Sequence, residues 1–133
     1  MQTFLPYPDF HKSLSCLDDK RLGKQRVEAM QILQALLPNS TSRWKNHPAV
    51  KMWKGYENAL TLYMNTSIQL WSLRGFRNIK MKEQTIEGEV IFPPWFGNTQ
   101  FHASHRSNLL RKKPEWYSKF YWTEPDNLEY IWP

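Results

Sequence analysis

The chain has 133 residues, with 18 Lys and Arg against 12 Asp and Glu, a formal charge of +6, and a single cysteine, Cys16. That length suits one domain able to bury a core without staples. One cysteine excludes an intrachain disulfide and points to a reducing compartment, and no run approaches the roughly 18 apolar residues of a membrane span. The opening Met-Gln-Thr-Phe-Leu-Pro has no basic region followed by an apolar run, so we expect no signal peptide and a soluble, cytoplasmic protein. The positive excess favours an anionic partner, nucleic acid above all. Seven Trp, six Tyr and seven Phe are many for so small a domain; most must be core, and some are available to stack on bases.

Residues 1–12 read as extended or turn-like, because Pro6 and Pro8 hold their neighbours out of the helical region. A first helix is expected from Leu14 to Leu37, capped by Ser13 or Ser15, with Asp18 and Asp19 near its positive end and Pro38 as its stop. Leu22, Ala29, Met30, Leu33 and Leu36 share its apolar face, while Gly23 marks a kink or a close backbone approach. Residues 39–47 form a basic loop. A second helix is expected from Pro48, capped by Asn46 or His47, to a C′ glycine at Gly75. Residues 76–97 lack helical period. Thr85–Phe92 fits a short strand pair or a loop, and Pro93–Gly97 a rigid turn. A third helix runs from about Asn98 to Lys113, before an aromatic turn opened by Pro114. With no internal repeat and no linker, three main helices with irregular joins make a small single all-α domain spanning 1–133.

Glu28 carries the first chemical signal. At 100° per residue, Arg21, Lys24 and Glu28 fall within about 60° of one another on the first helix, with Lys20 and Gln31 just beyond. One carboxylate among cations suits acid–base work beside a bound polyanion; it also suits an ordinary i,i+4 pair between Lys24 and Glu28. Basic residues recur along the chain: Lys20, Arg21, Lys24 and Arg26; Arg43 and Lys45; Arg74 and Arg77; Arg106, Arg111, Lys112 and Lys113. Each cluster alone is a solvated face, but Trp44, Phe76 and Trp116 beside three of them suit phosphate tracking with stacking. Arg26 falls inside the apolar arc, so it needs a partner or a phosphate unless Gly23 breaks the helical phase. His102 and His105 lie at i,i+3. Two histidines without a third ligand are a weak metal signal, so phosphate contact or core packing is the expectation and metal is set aside. Cys16, between Leu14 and Leu17, reads as a small buried hydrophobe.

The run Leu17-Asp-Asp-Lys-Arg-Leu-Gly-Lys-Gln-Arg-Val-Glu28 resembles the first-helix segment of the pyrimidine-dimer DNA glycosylases of the phage endonuclease V type, which ends on their catalytic glutamate. Arg74-Gly-Phe-Arg-Asn-Ile-Lys80 is similar to that family's basic turn, and Pro114-Glu-Trp-Tyr117 to its C-terminal aromatic segment. Thr3-Phe-Leu-Pro-Tyr and the run His102 to Arg106 resemble the family's bacterial and phage branch. The resemblance implies a compact helical domain with its N-terminal tail between helices. It also implies a cofactor-free glycosylase and abasic-site lyase in which the chain's own α-amino group attacks C1′ of the damaged nucleotide. A main-chain amine suits that role, titrating near 8 in unstructured peptides against about 10.4 for lysine.

Gln2 is a poor context for methionine removal, so the expected nucleophile is the α-amino group of Met1, with Glu28 stabilising the imine and moving protons. The family's Arg before the glutamate is Val27 here, with Arg26 one position earlier. Lys20, Arg21, Lys24, Arg26, Arg43, Lys45, Arg77, His102, His105, Arg106, Arg111, Lys112 and Lys113 are expected to hold a kinked duplex carrying damaged bases. The expected setting is a monomer at the nucleoid of a bacterial or phage-infected cell, away from membranes. Other readings are the same chemistry on another damaged or hypermodified base, a duplex-binding module without catalysis, and a metal-dependent nuclease built on His102, His105 and Glu28.

Overall fold

In the computed structural model, which describes residues 1–133, the chain is helical and contains no strand. The segment expected as one helix from Leu14 to Leu37 is two: α1, Phe10–Ser15, and α2, Asp19–Ala35. Asp9, not a serine, caps α1, its carboxylate accepting from the Lys12 amide at 2.7 Å. The Ser13 hydroxyl instead bonds both the amide and the carbonyl of Tyr7 and closes the preceding turn. Asp18 breaks the helix because a residue 99 positions away claims it. The Tyr117 hydroxyl accepts from the Asp18 amide at 3.1 Å and donates to the Asp18 carboxylate. Burial alone would raise the Asp18 pKa, but the hydrogen bonds from Tyr117 and Arg21 and the guanidinium charge outweigh it and hold the carboxyl below its ordinary range.

The expected second helix is also interrupted. Pro48 opens α3, Pro48–Lys51, and the His47 ring caps it by accepting from the Ala49 amide at 3.0 Å. The chain then turns through Gly55 at φ +89°, a left-handed conformation that suits glycine, before α4, Glu57–Leu73. Gly75 ends α4 as expected, with φ +91°, its amide on Ser72 O and the Phe76 amide on Trp71 O, a Schellman closure. Residues 85–92 are loop, tied down by Asn58, whose amide donates to Glu87 O and Glu89 O. Asn98 caps α5, Thr99–Lys112, and Pro114 starts α6, Pro114–Tyr117, followed by a 3₁₀ turn, Ser118–Phe120.

α2 packs mainly against α4, and Gly23 makes the approach possible. A Cβ there would stand 2.9 Å from two Trp71 ring atoms, so Gly23 marks a close approach and not a kink. Helical phase runs unbroken through it, and Arg26 lies on the packed side of α2. Its Nε–H donates to Gly23 O at 3.1 Å and its guanidinium lies 4.5 Å from the Trp71 ring centre. The core is one cluster of 23 buried residues, with Trp53, Tyr63, Tyr117 and Phe101 the largest fully enclosed side chains. Each enclosed leucine or isoleucine contributes roughly 1.5–3 kcal/mol. No helix is long and apolar enough to cross a membrane.

Candidate active site

Residues 2–6 are buried outside any helix or strand, so side chains must satisfy their backbone groups. Gln25 Nε2 donates to Gln2 O at 3.1 Å, and Gln25 Oε1 accepts from the Phe4 amide at 2.9 Å. The Tyr63 hydroxyl, 2.8 Å from Phe4 O and 2.6 Å from Gln25 Oε1, braces both. Trp53 Nε1–H donates to Thr3 Oγ1, and Arg106 donates to Pro6 O. His105 Nδ1 accepts from the Leu5 amide at 2.9 Å, while His102 Nδ1 stands 2.7 Å from Leu5 O. The Gly97 amide donates to His102 Nε2, so Nδ1 of that ring carries the proton and donates to Leu5 O.

This clamp fits the core-packing reading of the two histidines, not the phosphate-contact one. His102 is 2 % exposed and His105 0 %, and both spend ring nitrogens on the backbone of the buried tail. Neither ring reaches the surface. Burial lowers both pKa values, that of His105 to about 3, so both rings are neutral. The set of His102, His105 and Glu28 does not assemble either, and nowhere do three His, Cys, Asp or Glu side chains stand close enough to hold a metal ion. Burial pushes the Cys16 thiol up to about 12, so it is no nucleophile.

The tail delivers Met1 to a hollow of about 250 Å³ whose wall also includes Glu28, Gln25 and Gln2. Glu28 Oε2 accepts from Gln25 Nε2 at 3.1 Å and, at a longer 3.4 Å, from the Gln2 amide. The glutamate is therefore tied both to its own helix and to the residue next to the chain's amine. Gln2 Oε1 accepts from the Thr3 amide at 3.0 Å, which leaves its Nε2 buried without a partner. Lys20, Arg21, Lys24 and Lys112 complete a cationic rim. Partial desolvation at that wall, then the charges of Arg21, Arg111 and Lys24, lower the Lys112 pKa, with Glu28 opposing. Tyr130 closes the far side; burial pushes its phenol up to about 12.

The remaining basic residues are spread more widely. Arg43 and Lys45 are exposed on the 39–47 loop, Arg43 lying 4.9 Å from the Trp44 ring centre. That loop ends at His47, whose pKa is lowered by partial burial and by the positive charge of the chain's α-amino group. Arg77 is exposed on the turn after α4, and Arg26 is packed on the opposite side of α2 from the hollow. Arg106 pairs with Glu124, Arg111 bonds Asn108 and Asp126 O, and Lys113 stands 5.8 Å from the Trp116 ring centre.

Sequence reasoning passed over Gln25 and Tyr130. Gln25 had one visible sign: a long polar side chain three residues before Glu28, between the polar and apolar arcs. Tyr130 had none, because its place depends on how residues 127–133 lie on α5.

Chemically, the arrangement brings the N-terminal residue, a carboxylate and four cations to one opening, with a neutral hydrogen-bonded frame behind them. No characterised protein and no solved structure matches the chain. A family model described as pyrimidine dimer DNA glycosylase matches residues 1–84, which include Met1, the clamped tail, Glu28 and the basic turn after α4, and the chain belongs to that family.

Proposed function

We propose that the protein is a DNA repair glycosylase with abasic-site lyase activity on pyrimidine dimers in duplex DNA. The observation that carries this reading is that Met1 and Glu28 line one hollow ringed by Lys20, Arg21, Lys24 and Lys112. The unprotonated α-amino nitrogen of Met1 attacks C1′; the C1′–N bond breaks and the base leaves with its electron pair. Glu28 takes one proton from the amine and passes it to O4′ as the C1′–O4′ bond breaks, which opens the sugar ring and leaves a protonated imine to C1′. Glu28, 3.4 Å from the Gln2 amide, takes up protons from the amine and from C2′. Loss of the C2′ proton expels the 3′ phosphate by β-elimination, and water hydrolyses the imine to free Met1. The cations neutralise phosphates on either side of an extruded nucleotide, and a monomer suffices to do so.

Two perturbations test the assignment. Acetylating the α-amino group is expected to abolish cleavage and leave salt-dependent binding to irradiated duplex nearly intact. Cleavage by the acetylated protein would remove Met1 from the mechanism. Glu28→Gln keeps the size of the side chain and loses its charge. It is expected to bind lesions and fail to cut, and full cutting by this variant would sink the role given to Glu28.

A further inference from the structure

The hollow around Met1 is not walled by residues 1–84 alone. Residues 127–133, outside the family match, lie along α5 and are fixed there: the Leu128 amide donates to Ser107 Oγ at 3.0 Å, Asn108 Nδ2 donates to Leu128 O at 3.0 Å, and the Ile131 amide donates to Ser104 Oγ at 3.3 Å. This strap sets the Tyr130 ring 5.5 Å from the buried His105 ring, where it forms the far wall of the catalytic hollow. From Tyr130 a row of rings continues outward. Trp132 lies 5.7 Å from Tyr130 and 5.9 Å from His47, and Trp44 lies 5.7 Å beyond His47, in each case between ring centres. Trp132 is 38 % exposed, and a second hollow of about 400 Å³, lined by Arg111, Tyr130 and Trp132, adjoins the first across Tyr130.

A half-exposed row of flat rings, continuous with a cationic catalytic hollow, matches a planar base on a charged backbone. We propose that residues 128–133 form the specificity wall of this site, and that Trp132, continued by Trp44, takes an extruded base by stacking. Arg111 and Arg43 stand at the two ends of the row for the adjoining phosphates. The inference rests on the glycosylase–lyase reading and adds to it the element that tells a base-bearing lesion from an empty abasic site. An abasic nucleotide has no ring to stack and gains nothing from the wall.

The test is borohydride trapping of the full chain on a UV-irradiated duplex and on an abasic duplex of the same sequence. The readout is the ratio of the two trapping rates, with a thermal melt of each variant alongside. Loss of one stacking partner, about 1–3 kcal/mol per base or about 5- to 150-fold, is expected to lower the irradiated-to-abasic ratio by that factor in Trp132→Ala. Trp132→Phe, which keeps a flat ring, is expected to restore most of it. An unchanged ratio in Trp132→Ala overturns the wall, as does an equal loss on both duplexes or a failure of Trp132→Phe to rescue. Wild-type protein that forms no adduct on either duplex fails the lyase reading itself. An adduct on abasic duplex alone fails the dimer reading and, with no extruded base held, the wall with it.

Discussion

Gln25→Leu removes the residue that ties the buried tail to the Glu28 carboxylate while nearly conserving volume. In the structure this carboxamide serves four partners: it accepts from the Phe4 amide and the Tyr63 hydroxyl, and it donates to Gln2 O and Glu28 Oε2. Leucine leaves the Phe4 N–H and Gln2 O buried without partners, whereas Tyr63 keeps Phe4 O and Glu28 keeps access to solvent through the hollow. Two stranded backbone groups at about 1–3 kcal/mol each make a loss of about 2–6 kcal/mol. At about 4 °C per kcal/mol for a domain of this size, the melting temperature is expected to fall by about 8–24 °C. Scanning calorimetry or circular dichroism reads this directly. Below the melt, the freed tail is also expected to slow adduct formation at Met1, because the tail that carries the amine to the hollow is no longer fixed to α2. A melt within about 2 °C of wild type, with an unchanged trapping rate, would refute the view that Gln25 joins tail to site.

Other outcomes follow from the same geometry. Lys24→Ala is expected to flatten the slope of log K against log salt by about 0.9, if Lys24 neutralises one phosphate; anisotropy titrations with an unchanged slope would exclude that contact. His105 makes stability depend on pH, because its pKa is about 3 in the folded protein and 6.5 for an unperturbed histidine. Above 6.5 the ring is neutral in both the folded and the unfolded chain, and its contribution is whole. Below 6.5 the unfolded chain takes a proton that the folded one refuses, costing about 1.4 kcal/mol per pH unit down to about 3. Urea melts between these limits are expected to steepen in that sense for wild type and to flatten in His105→Gln. Gly23→Ala gains about 1 kcal/mol of helix propensity and loses about 1–3 kcal/mol by pressing on Trp71. That ring is pinned by Arg77 O and stacked on Phe76, so a net loss is expected, and a stabilised variant would show that it yields.

What could be read from the sequence was whatever depended on local pattern. Glu28 and the cations at 20, 21 and 24 converge because helical period puts them on one arc, and that period survives packing. Pro48 and Gly75 act through their own backbones and the His47 ring through an amide two residues on, so their positions were legible. The breaks at Cys16–Asp18 and Met52–Tyr56 were not. Leu14, Leu17 and Leu22, then Val50, Trp53 and Leu60, keep a helix-like apolar repeat straight across them, and all are buried. The first break depends on Tyr117 reaching Asp18 across 99 residues. For His102 and His105 phosphate contact and core packing both stayed open, because their partner, the backbone of Leu5, is about a hundred positions away. Arg26 sat in the apolar arc as counted, and only the fold could supply Trp71 and Asn78 Oδ1 to receive it.

The proposed mechanism turns on Met1 as the nucleophile. The measurement that tests it most directly is borohydride trapping on UV-irradiated, abasic and undamaged duplexes, followed by mass mapping of the adduct. The geometry of the tail predicts a single adduct on the α-amino nitrogen of Met1 with the first two duplexes and none with the third. An adduct on Lys20, Lys24 or Lys112, the three lysines at the hollow, or no adduct on any duplex, would contradict it.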